Sequence, residues 1–157
     1  MIDQLIHGDE ELRENYEIIT SITGVARQNG ACLLIFTNNF TRFNMDSRKI
    51  ACYYGVAPFA KQSGSSLHTN VTTSHFSNRL LTGLLTHAAQ AARRFCPEIR
   101  DYYEGLIARG KHPSVALNNV KCNLVTIITA LVRKKQKYNP EVYILYRDKY
   151  RNKKLTA

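Results

Sequence analysis

Apolar residues recur along the chain at three- and four-residue spacing, broken by short runs of Gly, Pro, Ser, Thr and Asn, which is the pattern of helices joined by turns. Asp9 precedes a first stripe of Leu12, Tyr16 and Ile19, with Glu10 and Glu11 behind it. A carboxylate at that position accepts from the unpaired N–H groups of a first turn and suits the helix dipole, so a helix is expected that stops near Thr20. In "ITSITGVARQNGACLLIF", Gly24 separates that helix from a second one carrying Ala31, Leu34 and Ile35, giving helix, tight glycine turn, helix. Asp46 is placed to cap a short helix, "SRKIACYYG", ending at Gly55.

Residues 56–73 break the pattern. They lack helical periodicity, are rich in Gly, Ser, Thr and Asn, and read as a loop or hairpin, with seven hydroxyls between Ser63 and Ser74. Beyond them Ser74 or Ser77 can cap a long helix with Leu80, Leu81, Leu84, Leu85, Ala88, Ala91, Ala92 and Phe95 as its core stripe. Pro97 opens a helix carrying Ile99, Tyr102, Tyr103, Leu106 and Ile107 and closing at Gly110. Pro113 opens the last long one, through Val120, Leu124, Ile127, Ile128 and Leu131 into "RKKQK". After Asn139 and Pro140, "EVYILYRDKYRNKK" reads as a short amphipathic helix or a tail, with Tyr143, Tyr146 and Tyr150 on one side. The fold class expected is mainly α: one helical domain with a helix-hairpin-helix unit and an irregular serine-bearing loop. Its parts are an acidic helix (1–20), a body (21–138) and a basic tail (139–157).

Charge narrows the function. The 157 residues carry 22 Lys and Arg against 12 Asp and Glu, a net +10, which favours a polyanionic partner, nucleic acid first among them. Residues 1–17 hold six acids against Arg13, whereas residues 131–157 hold nine basic residues against two acids. The acidic end is therefore expected to face away from a phosphate backbone. Cys32, Cys52, Cys96 and Cys122 are far apart and form no C-x-x-C pair, so they read as reduced structural thiols. The acidic N-terminus has no signal-like apolar core, and the longest apolar run, "LVTIITALV", is too short to span a bilayer, which points to a soluble, cytoplasmic protein.

Candidate chemistry is sparse. The turn at Gly24 can present N–H groups at the start of a helix, where a phosphate oxygen is favoured and Arg27 adds charge; a plain two-helix corner fits the same residues. Arg133, Lys134, Lys135 and Lys137, with the basic residues after them, interleave with tyrosines able to stack on bases, or form a solvated helix end. Arg93 and Arg94 have the same two readings. Ser63 is an ordinary turn residue or a nucleophile, and as a nucleophile it needs a base or a metal. Lys61, His68 and His75 are near in sequence, but no Asp or Glu lies between Asp46 and Glu98, so a Ser-His-Asp triad has little support. The remaining acids are scattered and the five histidines lack ligand spacing; His87 reads as a core or edge residue, and no metal site is expected in this chain.

Four ordered blocks, "ITSITGVARQNGACLLIF", "FTRFNMDSRKIACYYGVAPFAKQSGSS", "SNRLLTGLLTHAAQAARR" and "YYEGLIARGKHPSVALNNVKCNLVTIITALVR", resemble the C-terminal transposase domain of the bacterial insertion-sequence family numbered one hundred and ten, with its one-sixteen and nine-oh-two relatives. The resemblance covers residues 11–133. It implies full proteins built from a RuvC-like domain with a four-carboxylate metal site, a coiled-coil linker of which residues 1–20 would be the end, and this domain, which supplies a nucleophilic serine. In the block "GVAPFAKQSGSS" the matching position is Ser63, with Ser65 and Ser66 as the next choices. DNA strand exchange through a phosphoserine intermediate is implied, as are Mg2+ in the RuvC-like domain and none in this chain, a guide (bridge) RNA, and a homo-oligomer as the active complex. Lys61, Gln62, Gly64 and Asn78 would shape or neutralise the phosphate site, while Gly24, Arg27 and the 133–137 cluster would contact backbone.

Two blocks depart from the family's pattern. The hairpin usually "GVGP" is "GVAR", with Ala26 for the second Gly, and the basic "ISKRGN" is "TSHFSN", although Asn78 and Arg79 still match an Asn-Lys/Arg pair. Without the RuvC-like half the chain is expected not to recombine DNA. The alternatives are a non-catalytic nucleic-acid-binding module, decayed or regulatory, and a helical protein-interaction domain with an acidic partner.

Overall fold

The chain's structure is a computed structural model; it describes residues 8–57 and 79–141 together with Ile6 and Tyr143. Among these residues run six α-helices and no strand: α1 (Glu10–Thr20), α2 (Arg27–Thr37), α3 (Ser47–Tyr53), α4 (Arg79–Phe95), α5 (Pro97–Ala108) and α6 (Pro113–Lys134), with a 3-10 turn at Thr41–Phe43. The mainly helical expectation holds. The serine-rich stretch lies outside the described residues, as do the caps expected at Ser74 and Ser77, Tyr146 and Tyr150.

The helix starts follow the capping residues. Asp9 Oδ1 accepts from the Leu12 N–H at 3.0 Å, and Asp46 Oδ1 accepts from the N–H groups of Arg48 (2.8 Å) and Lys49 (3.3 Å). Pro97 and Pro113 stand at the first positions of α5 and α6, where a missing N–H costs nothing. His112 caps α6, its Nδ1 accepting from the Ser114 N–H at 3.3 Å, a role the sequence pattern did not suggest.

Helix α6 is the axis of the fold and packs against α1, α3, α4 and α5. Val120, Leu124, Val125, Ile128 and Val132 join Leu81, Leu85, Ala88 and Ala92 of α4, Ile18 and Ile19 of α1 and Ile99 of α5 in one core. Leu124 is fully enclosed, so truncation to Ala would cost about 2–5 kcal/mol. With 22 residues and an 18-residue window of mean hydropathy 1.5, α6 is long and apolar enough to cross a membrane by length and composition, but here eight of its positions are buried in the core.

The apolar stripes are narrower than the spacing predicts. Ile35, Leu80 and Phe95 are 60%, 58% and 61% exposed, and Ile107 is exposed as well. On α4 the buried positions are Leu81, Leu85, Ala88, Ala89 and Ala92, so small residues bring its neighbours close and the larger flanking side chains turn outward. His87 is exposed, which removes the core reading of that residue and leaves the edge one. The four cysteines are free thiols.

Candidate nucleic-acid interface

The residues that flank the serine-rich stretch are held tightly. After α3 the chain passes through Gly55, in a left-handed turn, to Val56 and Ala57, both buried. The Val56 carbonyl accepts from Asn118 Nδ2 at 2.8 Å and from the Cys122 thiol at 2.9 Å, two α6 side chains one turn apart. On the returning side Thr82 of α4 donates its hydroxyl to the Tyr54 carbonyl at 2.7 Å. Both roots of the stretch are thereby fastened to the same end of the α4–α6 pair. Beside them Lys121 Nζ donates to Thr86 Oγ1 at 3.5 Å, and burial lowers its pKa, partly opposed by the neighbouring Cys122.

Ser63, Ser65, Ser66, Lys61, Gln62, Gly64 and Asn78 lie outside the described residues. Arg79 is exposed at the first described position of α4. Gly24 sits at φ +96°, and an added Cβ would fall 2.7 Å from the Ala92 Cα and 2.8 Å from the Ala91 carbonyl carbon. The glycine thus lets the turn between α1 and α2 lie directly on the α4 backbone. Arg27, three residues on, is exposed at the start of α2, whose cap Ala26 makes no side-chain hydrogen bond.

The cations at the end of α6 are engaged within the molecule. Lys135 Nζ lies 3.0 Å from Glu14 Oε2 and 3.8 Å from Glu11 Oε1, and donates to Asn15 Oδ1 at 2.9 Å. Asn15 is fully buried and donates in turn to Asn39 Oδ1 at 2.7 Å. Lys137 pairs with Glu17 at 3.0 Å, and Arg133 Nη2 donates to the Met45 carbonyl at 2.6 Å. Lys134 is exposed. The acidic helix therefore faces part of the basic cluster itself.

Comparison with known proteins decides the family. A model of the IS116/IS110/IS902 transposase family matches residues 16–104. The chain belongs to that family. Among curated relatives, the insertion element IS110 uncharacterized 43.6 kDa protein of Streptomyces coelicolor is 31% identical over 116 residues, covering 74% of this chain and 28% of its own length. The pilin gene-inverting protein of Moraxella bovis is 22% identical over 141 residues, 89% of this chain and 44% of its own. The chain therefore spans less than half the length of either relative.

Within this transposase-family domain one cationic group escaped the sequence pattern. Arg42 is exposed, and its guanidinium lies 4.9 Å from the Tyr53 ring centroid and 5.6 Å from that of Phe43, with Nη1 3.4 Å from the Tyr53 hydroxyl. The surrounding loop is left-handed at Asn38, Asn39, Phe40, Asn44 and Met45. Four of the eight positions in "NNFTRFNM" are Asn or Thr able to bond their own backbone, and that was the available signal: Thr37 Oγ1 accepts from the Phe40 N–H at 3.0 Å, and Thr41 Oγ1 donates to the Asn38 carbonyl at 2.6 Å. Elsewhere Arg93 stacks on Tyr103 (4.6 Å), while Arg100 donates to the carbonyls of Arg93 and Arg94 at the end of α4. Among the described residues no group of three or more His, Cys, Asp or Glu gathers at metal-binding distance.

Proposed function

We propose that this chain is the DNA-engaging, serine-bearing domain of an insertion-sequence transposase, acting with a RuvC-like domain of the complete protein. Ser63 is the nucleophile, with Ser65 and Ser66 next in order. Its Oγ forms a bond to the phosphorus of a scissile phosphodiester and gives up its proton. The departing sugar oxygen takes the electron pair of the broken P–O bond and is protonated. A hydroxyl of the second strand later attacks the phosphoserine, rejoining DNA and releasing the serine. Mg2+ bound in the RuvC-like domain of the complete protein would supply charge neutralisation at the phosphate. Lys61, Gln62, Gly64 and Asn78 shape the phosphate site, a guide RNA selects the DNA, and two or more protomers assemble in the cytoplasm.

The observation that best supports this reading is the fastening at Val56, Tyr54 and Thr82. A nucleophile on a loop needs rigid supports if it is to meet a phosphorus atom in line, and family membership gives that loop a reason to be held. The test joins this chain to the family's RuvC-like half and traps protein covalently bound to cleaved DNA. Ser63→Ala is expected to abolish the adduct and to leave DNA binding intact. Adducts that persist move the nucleophile to Ser65 or Ser66, and a wild-type protein that binds DNA without ever forming an adduct makes this a non-catalytic binding module.

A further inference from the structure

The arginines and lysines of the fold divide by what they already hold. Lys135 and Lys137 hold the carboxylates of α1, and Arg93 and Arg100 hold an aromatic ring and the carbonyls that end α4. Arg42 and Lys49 hold no acid: among the described residues neither has a carboxylate within ion-pairing distance, and the nearby Asp46 carboxylate is bound to backbone N–H groups of α3. Lys49 and Tyr53 stand four residues apart on α3, hence on one face, and the Tyr53 ring is the surface on which Arg42 rests. Both cations are exposed and both adjoin Tyr53, Lys49 by its place on α3 and Arg42 by lying over the ring with Nη1 donating to the hydroxyl, which leaves the Nε and Nη2 side of the planar guanidinium to form a fork.

Location gives this face its partner. Tyr53 adjoins Tyr54, whose ring lies 6.3 Å away and whose carbonyl anchors Thr82, so the pair of cations borders the root from which the serine-bearing stretch departs. We infer that the face formed by Arg42, Lys49, Phe43 and Tyr53 binds the phosphodiester backbone of duplex DNA beside the site of strand cleavage. The inference rests on the reading of the domain as DNA-engaging, and the names of the family and of the gene-inverting relative favour DNA over other polyanions. Two adjacent phosphates meet the two cations, Arg42 by a fork of two N–H groups and Lys49 as a point charge. Arg133, fixed to the Met45 carbonyl, braces the left-handed loop that carries Arg42 and acts as a positioning residue.

The test is the affinity of this chain for a labelled DNA duplex, and for a structured RNA hairpin alongside it, across a salt series, using wild type, the double variant Arg42→Gln with Lys49→Gln, and a control double variant, Arg93→Gln with Arg94→Gln. Unfolding curves confirm that each is folded, and Lys49→Gln alone, at an exposed helix position, serves as a second probe that leaves the Arg42 stack in place. The expected result is a steep salt dependence in wild type and control. The Arg42/Lys49 variant should bind about tenfold or more weakly at low salt, with a log–log salt slope smaller by about two, one for each phosphate that the variant no longer neutralises. Lys49→Gln alone should reduce the slope by about one. Unchanged affinity and slope in both Lys49 variants overturn the proposed face while leaving DNA engagement standing. A wild type that fails to bind DNA at low salt overturns the DNA-engaging reading and the face with it. Weakening confined to a structured RNA hairpin, with duplex binding unaltered, overturns the assignment to DNA.

Discussion

Two clusters of positive charge in this fold look alike in composition and differ in what they do. At the C-terminal end of α6, Arg133, Lys135 and Lys137 are exposed but already engaged: with a loop carbonyl, with Glu11, Glu14 and Asn15, and with Glu17. Around α3, Arg42 and Lys49 have no such partner and face solvent. The number of lysines in a run therefore says little about where a phosphate will bind. The decisive quantity is how many cations remain after the fold has neutralised its own acids, and the acidic α1 pairs with Lys135 and Lys137 of the run at the end of α6.

The largest effect expected from the C-terminal region concerns stability. Tyr138 donates its hydroxyl to the buried Glu98 at 2.8 Å, lies 3.6 Å from Cys96 Sγ, and uses its backbone N–H to bond the Ser21 hydroxyl. Burial and then the Glu98 carboxylate push the tyrosine's pKa well up, and the Cys96 thiol is raised to about 11 by the same two causes. Tyr138→Phe leaves a buried carboxylate short of a donor and should lower unfolding stability by about 2 kcal/mol, read by urea denaturation, without changing the salt slope of DNA binding. A tyrosine that stacked on bases would do the reverse.

Lys135→Ala should act in the same direction and less strongly. It leaves Glu11 and Glu14 without their shared cation and Asn15 without one bond, at a cost of about 1 kcal/mol after allowing for the exposure of all three charged groups. A large loss of DNA affinity with no loss of stability in this variant would erase the distinction between the two clusters.

Much of the scaffold could be read from capping and periodicity. Asp9, Asp46, Pro97 and Pro113 mark helix starts because each satisfies or removes an N–H that the helix cannot pair by itself. Long-range relations could not be read in this way. Asn15 lies mid-helix, and only tertiary packing brings it between Asn39 and Lys135. Asn118 and Cys122 look like ordinary positions on α6, yet they clasp a carbonyl more than sixty residues away. Arg42 stands in a polar run with no helical period, and its importance depends on a left-handed loop that lays it on a ring from the next helix. The proposal of Ser63 as nucleophile rests on the resemblance of the block "GVAPFAKQSGSS", since spacing alone left it a turn residue or a nucleophile, and the residue lies outside those described.

The proposed DNA-binding face puts Lys49, and not Lys135 or Lys137, against phosphate, and lysine acetylation read by mass spectrometry compares both clusters in one sample. Duplex DNA added at low salt is expected to slow acetylation of Lys49, with the protection lost again at high salt, while the rates at Lys135 and Lys137 stay as they are in the free protein. Protection of Lys135 and Lys137 with Lys49 unaffected would contradict that expectation and return the DNA-binding face to the end of α6.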